Sequence, residues 1–219
     1  IPPLDRYVDL DCDAHYYIAP ADSRGNWVLG ADLTLADKTK EPVNQWKMDR
    51  VGKGIYTILS REDTRLALGY NSSSQTIELA LYDSKDSQQW KIDEAIGGSF
   101  TISNNRYPGI QLSLESFAAE GIRAGVSKTE TDAFSKWKFV EVCELKQQAF
   151  KVNTIPGTIQ AEDFDTGCPG EAFYDSDDIN EGAQYRLDEG VDIERCSAGG
   201  FNVGWTRAGE WIAYTVTVD

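Results

Sequence analysis

Short runs of alternating hydrophobic and polar residues dominate the chain up to about residue 150. Alternation with a period of two is typical of strands that bury one face, and each run is bounded by the Gly, Asn, Ser, Asp or Pro clusters that form turns. Neither heptads nor a helical period is present. The pattern predicts an all-β barrel or sandwich, with runs such as Ile55–Leu59, Ile77–Leu81, Ser99–Ser103 and Ile110–Leu114.

Three tryptophans in similar local sequences mark an internal repeat. Trp46, Trp90 and Trp137 lie 44 and 47 residues apart, and each is followed by Lys. A period of about 40 to 50 residues indicates one small β unit copied three times around a shared core. Four strands in each of three copies predict the twelve strands of a β-trefoil. The copies open on the segments Tyr16–Ile18, Tyr56–Ile58 and Phe100–Ile102.

The repeat tryptophans and the remaining tryptophan of this region have different expected environments. Because Trp46, Trp90 and Trp137 occur at the same point of each copy, we expect them to pack in a shared core layer. Trp27 lies outside the threefold pattern. It is therefore the aromatic residue of the repeated region that we expect to be exposed.

The spacing around these tryptophans resembles the ricin-type β-trefoil lectin repeat over residues of about 5–150. Gln88 and Trp90 have the Gln-x-Trp spacing of that family, with Asn44 and Ser135 at the corresponding positions. The resemblance implies sugar sites built from an Asp, an aromatic residue and an Asn or Gln. The alternative is a spacer or protein-interaction domain without sugar affinity. The candidate site residues are Asp22, Asp37, Tyr70, Asn71, Asp83 and Asp132.

A segment with a different residue pattern follows a linker-like stretch at residues 146–153. Glycines punctuate short alternating runs, which predicts a β-sandwich. The predicted strands include Thr158–Asp163 and Trp211–Val218. Trp205 and Trp211 stand among apolar residues and are expected in the core, with a place on the concave sheet face as the alternative for Trp211.

Residues of about 154–219 resemble the family 6 carbohydrate-binding modules. The motifs that carry the resemblance are Ala172–Asp175, Asn180–Arg186, Gly190–Glu194 and Asn202–Val216, in the family's order. The resemblance implies a β-sandwich jelly roll of which this chain contains part, because the family's remaining strands would follow Asp219. It also implies a loop cleft in which aromatic rings sandwich a sugar. We assign Phe173 and Tyr174 as the rings and Glu171 as a carboxylate contact.

The same resemblance implies a structural calcium ion. In a strand, Gln160 and Glu162 would lie on one face, where oxygen ligands could share a hard cation. Main-chain oxygen near Arg186 is the third expected ligand. The alternative is a solvated edge strand without metal, since one Gln and one Glu do not complete six ligands.

Four cysteines predict two disulfides in an oxidising compartment. Cys12 and Cys143 stand at the two ends of the repeated region, and a bridge between them would fasten a closed repeat. Cys168 and Cys196 would then form the second pair. Four cysteines allow three connectivities, and four free thiols are the alternative.

The formal net charge of −15 argues against nucleic acid and anionic membranes as partners. A neutral ligand fits this charge better, and the two resemblances imply a polysaccharide of the agarose, xylan or β-glucan type. The chain is therefore predicted to be a non-catalytic pair of modules from a secreted glycoside hydrolase or polysaccharide lyase, with the catalytic domain elsewhere in the same parent chain. The alternative is a fragment with hydrolytic activity of its own.

Overall fold

The computed structural model describes residues 8–22, 27–128, 133–177 and 179–219. The chain divides into two compact units, residues 1–142 and 143–219. In the described residues, no helix is long and apolar enough to cross a bilayer. The strands of the first unit are β1 (His15–Pro20), β2 (Trp27–Leu29), β3 (Leu35–Asp37), β4 (Trp46–Gly52), β5 (Ile55–Ser60), β6 (Leu66–Asn71), β7 (Thr76–Leu81), β8 (Gln89–Glu94), β9 (Phe100–Asn104), β10 (Gln111–Leu114), β11 (Ala124–Ser127) and β12 (Trp137–Glu141).

Six strands of the first unit close into a barrel. β1 pairs with β4, β4 with β5, β5 with β8, β8 with β9, β9 with β12, and β12 returns to β1. The other six strands form three hairpins, β2–β3, β6–β7 and β10–β11. Each four-strand copy therefore gives two strands to the barrel and two to a hairpin, which confirms the predicted β-trefoil.

The repeat tryptophans are buried at equivalent points of the three copies. Trp46, Trp90 and Trp137 are 0% exposed. Each indole Nε1–H donates to a leucine carbonyl in the second strand of its own copy, at 2.8 to 2.9 Å. These acceptors are Leu29, Leu68 and Leu112. The tryptophans fill the core, as the repeat predicts, and their hydrogen bonds also tie each hairpin to the barrel.

The opening segments of the three copies and Trp27 both pack against the core of the first unit. The isoleucines that end the opening segments, Ile18, Ile58 and Ile102, are all 0% exposed and pack in the same core. Trp27 is half-buried and packs against this core rather than standing free in the solvent. Trp27 opens β2, where it pairs with Asp37 of β3.

The second unit has short strands and a small core. Its core comprises Phe164, Ala172, Phe173, Val191 and Ile193, all at most 3% exposed. β14 pairs with β17 and β15 with β16 in antiparallel fashion, and β13 pairs with β18 in parallel. The strands are β13 (Thr154–Ile155), β14 (Phe173–Tyr174), β15 (Ile193–Arg195), β16 (Phe201–Val203), β17 (Trp211–Ile212) and β18 (Thr217–Val218).

Two strands predicted for this unit are wrong. Residues Ala161–Asp163 form a turn of 3-10 helix where a strand was expected. The predicted strand Trp211–Val218 is divided into β17 and β18. The physical reason is that the backbone of this segment changes its hydrogen-bonding partner. β17 pairs with β14, and Ala213 then exchanges hydrogen bonds with residues 165 and 172. β18 pairs with β13.

The predicted disulfide pairing is also wrong. Cys143 is bonded to Cys168, with 5.6 Å between their Cα atoms. Cys12 and Cys196 are free thiols. Because a sulfur forms one disulfide bond, the Cys143–Cys168 bridge excludes the Cys12–Cys143 and Cys168–Cys196 pairs. The bridge closes a loop within the second unit instead of fastening the two ends of the barrel.

Candidate functional site

An exposed pair of aromatic rings lies on the second unit. The register between β14 and β17 sets Tyr174 opposite Trp211. These residues are 45% and 41% exposed. Opposed residues of an antiparallel pair project from the same face with their Cβ atoms about 5 Å apart. The two rings therefore form one solvent-accessible aromatic surface.

Phe173 does not belong to this surface. It is 3% exposed, and its ring packs edge-on against Phe164 with 5.4 Å between the centroids. Successive residues of a strand point to opposite faces. The assignment of Phe173 as a sugar-contacting ring is therefore corrected, because β14 turns Tyr174 outward and Phe173 into the core.

A cleft of about 260 Å³ lies beside the aromatic pair, lined also by Asp175, Arg207 and Glu210. The Glu210 carboxylate accepts a hydrogen bond from the Ser176 hydroxyl at 2.6 Å and another from the Arg207 backbone N–H at 2.5 Å. The Arg207 guanidinium pairs with Asp177 at 2.7 Å. These contacts fix the polar wall of the cleft before any ligand arrives.

The two carboxyl groups of the cleft have opposite pKa shifts. Burial raises the pKa of Asp175, and the charge of Glu210 adds to the increase. The pKa of Glu210 is lowered, chiefly by the hydrogen bond from the Ser176 hydroxyl and then by the one from the Arg207 backbone. Glu210 is therefore a firmly ionised hydrogen-bond acceptor, whereas the charged form of Asp175 is disfavoured.

The expectation that Trp205 and Trp211 lie in the core is wrong, since they are 53% and 41% exposed. β16 ends at Val203 and β17 is two residues long, so neither tryptophan has a long strand around it. The signal in the sequence is the pair of glycines Gly204 and Gly209, because glycines on both sides of a short stretch are typical of a loop.

Glu171 stands apart from the cleft. It precedes β14 in a turn, where its backbone N–H donates to the Cys168 carbonyl at 3.0 Å. Within the described residues, it is not part of the lining of the 260 Å³ cleft. Of the residues assigned from the sequence, Tyr174 is the one that lines this cleft. The cleft also contains Asp175, which adjoins Tyr174, and Arg207, Glu210 and Trp211, which lie close together in the chain.

The residues expected to hold calcium have mixed environments. Glu162 is 7% exposed, and no hydrogen bond to its carboxylate is present among the described residues. Gln160 is exposed, because the 3-10 turn does not place the two side chains on one face as a strand would. The Arg186 guanidinium donates to the Asp165 carbonyl at 3.0 Å and to Glu189 at 2.9 Å. Across the described residues, no cluster of three or more His, Cys, Asp or Glu is arranged for a metal.

Three of the candidate sugar residues of the first unit are buried or engaged within the protein. Tyr70 is 7% exposed. The Asn71 side chain accepts from the Ser73 N–H at 3.0 Å, and Asp83 pairs with Lys85. The remaining candidates are Asp22, which is exposed, Asp37, at the exposed end of β3, and Asp132, which lies outside the described residues.

The amides that precede the tryptophans have a structural role. The Asn44 side chain is buried and donates to the Asp37 carbonyl at 3.0 Å. The Gln88 side chain donates to the Leu81 carbonyl at 2.9 Å and accepts from the Asp83 N–H at 3.0 Å. Both amides hold the loop that leads from the third strand of a copy to the fourth.

Comparison with known proteins agrees with this fold. Residues 42–126 match the family model described as ricin-type beta-trefoil lectin domain-like. No curated protein sequence matches the chain. The designed threefold symmetric protein ThreeFoil has a TM-score of 0.52 and 16% identity, over 58% of this chain and 99% of the design.

Two natural structures are also similar. A mosquitocidal holotoxin has a TM-score of 0.57 and 15% identity, over 94% of this chain and 29% of the toxin. A Polyporus squamosus lectin, solved with the epitope Neu5Aca2-6Galb1-4GlcNAc, has a TM-score of 0.51 and 16% identity, over 63% of this chain and 52% of the lectin. The chain thus spans about a third of the toxin and half of the lectin. Its first unit is a β-trefoil similar to ricin-type lectin domains.

Proposed function

We propose that this protein binds carbohydrate without cleaving it, and that Tyr174 and Trp211 form the contact surface. The observation that carries the proposal is the exposed cross-strand pair of rings beside a 260 Å³ cleft. An aromatic face complements the apolar C–H face of a pyranose. Glu210 supplies an oriented acceptor for sugar hydroxyls, and Arg207 lies beside it as a donor.

We also propose a polysaccharide ligand and a parent enzyme for this binding activity. Structural similarity to a lectin solved with a bound glycan supports a carbohydrate-binding ancestry for the first unit. The sequence resemblance of the second unit to carbohydrate-binding modules supports a polysaccharide ligand of the agarose, xylan or β-glucan type. We place the chain in a secreted polysaccharide-degrading enzyme, where it would raise the effective concentration of the catalytic domain at its substrate. Glu171, the carboxylate that the family resemblance assigns, would make a separate contact outside this cleft.

Removing either ring should abolish most of the binding. Tyr174→Ala and Trp211→Ala are each expected to weaken binding to the preferred polymer about tenfold, because loss of an aromatic contact of about 1.5 kcal/mol corresponds to that factor. Affinity electrophoresis of the full chain in gels that contain agarose, xylan or β-1,3-glucan measures the effect as a loss of retardation.

Trp205→Ala is the matched control, because Trp205 is exposed but does not line the cleft. It should migrate like the wild type. Unchanged retardation of both ring variants would show that Tyr174 and Trp211 do not contact the polymer. Release of reducing sugar by the wild type would favour the hydrolytic alternative, and no retardation on any polymer would favour the spacer.

We further propose that calcium binds at Glu162, with Gln160 and main-chain oxygen near Arg186 as the other ligands that the family resemblance assigns. Glu162 is 7% exposed as a residue, and no described donor is bonded to its carboxylate, which leaves these oxygens available to a cation. A chelator should lower the melting temperature, since ligand at 100 times its Kd stabilises by about 2.7 kcal/mol.

Differential scanning calorimetry with calcium and with chelator tests this proposal. Glu162→Gln should lose the response to calcium. Glu181→Gln, which changes an exposed glutamate of the same unit, should keep it. Identical melting curves of the wild type with and without calcium would disprove the site.

A further inference from the structure

Each of the two exposed rings of the second unit has a carboxylate next to it in the chain. Asp175 follows Tyr174, and Glu210 precedes Trp211. Because Tyr174 and Trp211 are paired across β14 and β17, the two carboxylates occupy the next facing positions of these segments. Both line the 260 Å³ cleft beside the rings. Like charges at facing positions of an antiparallel pair are destabilising, so this arrangement has a cost in the free protein.

The cleft has more carboxylates than cations around it. Among the described residues that line it, Arg207 is the basic one. The Arg207 guanidinium donates to the Ser176 hydroxyl at 3.0 Å and to Asp177 at 2.7 Å. The hydrogen bond to Asp177 is the main cause of the raised pKa of Arg207, and the charges of Glu210 and Asp175 add to the increase. One guanidinium thus serves three carboxylates, and a negative excess remains in the cleft.

Asp175 is the carboxylate with the least compensation. In the part of the chain that the structure describes, its hydrogen-bond donor is the Asp177 backbone N–H, at 3.1 Å, and no Lys, Arg or His forms an ion pair with it. Burial raises the pKa of Asp175, and the charges of Glu210 and Asp192 raise it further. A cation bound in the cleft would favour the ionised form of Asp175 and would offset the repulsion from Glu210.

The exposed rings and the apolar lining also favour a cation. The face of Trp or Tyr attracts an ammonium group that lies within about 6 Å of the ring centroid. Tyr174 and Trp211 are 45% and 41% exposed, so part of each ring is available for this contact. The lining also includes Val191, Val203 and Ile212. These apolar side chains lower the local dielectric constant and so strengthen the attraction between a carboxylate and a bound cation.

We propose that this cleft is selective for sugars with a free amino group, and that Asp175 and Glu210 bind the ammonium group while the two rings contact the pyranose. The inference rests on the proposed function, because it uses the same aromatic surface. It names an unacetylated amino sugar as the preferred ligand, with neutral polymers as weaker ligands. An ammonium group has three N–H donors and no acceptor, which matches a cleft whose excess polar atoms are carboxylate oxygens.

Three trisaccharides with the same β-1,4-linked backbone test this selectivity by isothermal titration calorimetry of the full chain. The glucosamine trisaccharide, its N-acetylated form and cellotriose carry an ammonium, an acetamide and a hydroxyl group, respectively, at C2. At about pH 6, carboxyl groups of ordinary pKa are ionised and the amine is protonated. We expect the glucosamine trisaccharide to bind about tenfold more tightly than the other two. Sodium chloride at about 0.5 M should reduce this difference.

Two charge-neutralising variants separate the cleft from the overall charge of the chain. Asp175→Asn should weaken binding of the glucosamine trisaccharide about fivefold and that of cellotriose by less than about twofold. The fold should be retained, because the Asn side-chain oxygen can still accept from the Asp177 N–H. Asp188→Asn is the matched control, since Asp188 is exposed in the same unit and does not line the cleft. It should bind all three trisaccharides like the wild type.

Three results would overturn the inference. The first is a glucosamine trisaccharide that binds no more tightly than cellotriose, or not at all. The second is an equal effect of Asp175→Asn and Asp188→Asn, because the net charge of the chain would then explain the preference. The third is equally tight binding of trilysine, which has cationic amines and no pyranose. In each case, retardation by a neutral polymer that is lost in Trp211→Ala would leave the proposed function standing.

Discussion

Trp90→Ala is expected to lower the free energy of unfolding of the β-trefoil by about 5 kcal/mol, enough to unfold much of a domain of ordinary stability. Trp90 is 0% exposed, and its indole N–H donates to the Leu68 carbonyl at 2.8 Å. Truncation of a buried Trp to Ala costs about 3–5 kcal/mol. It also leaves the buried Leu68 carbonyl without its partner, which costs about 1–3 kcal/mol more.

Trp90→Phe separates these two contributions, since the ring is largely retained and the hydrogen bond is lost. We expect a loss of about 2 kcal/mol. Urea denaturation of the full chain, followed by hydrogen exchange of peptides from residues 8–128, measures the stability of this unit alone. Trp205→Ala, at a tryptophan that is 53% exposed, should stay within about 0.5 kcal/mol of the wild type. A similarly small effect of Trp90→Ala would contradict the role of the repeat tryptophans as core residues.

The β-trefoil was predictable because the same local pattern occurs in each of the three copies. One buried tryptophan does not define a fold. The recurrence of Trp46, Trp90 and Trp137 at equivalent points does, because each copy must supply the same piece of a closed core. The alternating runs located the strands to within one or two residues, as Ile55–Ser60 and Thr76–Leu81 show.

The second unit was harder to predict because its backbone changes partner within a few residues. Trp211 and Thr217 read as one alternating strand, but they pair with Tyr174 and Thr154, respectively. The exposure of Trp211 depends on this non-local pairing. The sequence assigned both Phe173 and Tyr174 as rings, but the structure turns only Tyr174 outward and sets Trp211 of β17 opposite it.

Cysteine pairing and the clefts depend in the same way on which loops meet. Four cysteines indicate a disulfide, but the proximity of Cys143 to Cys168 is a property of the folded second unit. Asp86 and Tyr107 are separated by 20 residues that form two barrel strands, and they line one cleft because the copies close side by side. The residue types indicated that a disulfide would form, whereas the topology determined which cysteines pair and which side chains line each cleft.

Asp165→Asn is expected to destabilise the second unit by about 3 kcal/mol, because Asp165 holds together three segments that are distant in the chain. It is 0% exposed. Its carboxylate accepts from the Thr215 backbone N–H and hydroxyl, both at 2.7 Å, and from the Gln147 amide at 2.8 Å. In the variant, one oxygen becomes an N–H donor that faces other donors, and a buried network with one wrong partner costs about 3–5 kcal/mol.

The pKa of Asp165 gives this prediction a second, independent readout. Burial raises the pKa, but the hydrogen bonds from Thr215 and Gln147 and the charge of Arg186 lower it overall. A carboxyl group whose pKa is lowered in the folded state stabilises the protein above its unfolded pKa of about 3.9, and this contribution is lost as the pH falls through the folded value. The stability difference between wild type and Asp165→Asn should therefore shrink below about pH 4. Hydrogen exchange of peptides from residues 143–219 measures both effects, with the exposed Asp188→Asn as the matched control that changes neither. A difference that stays constant from pH 7 to pH 3 would show that the charge of Asp165 does not stabilise this unit.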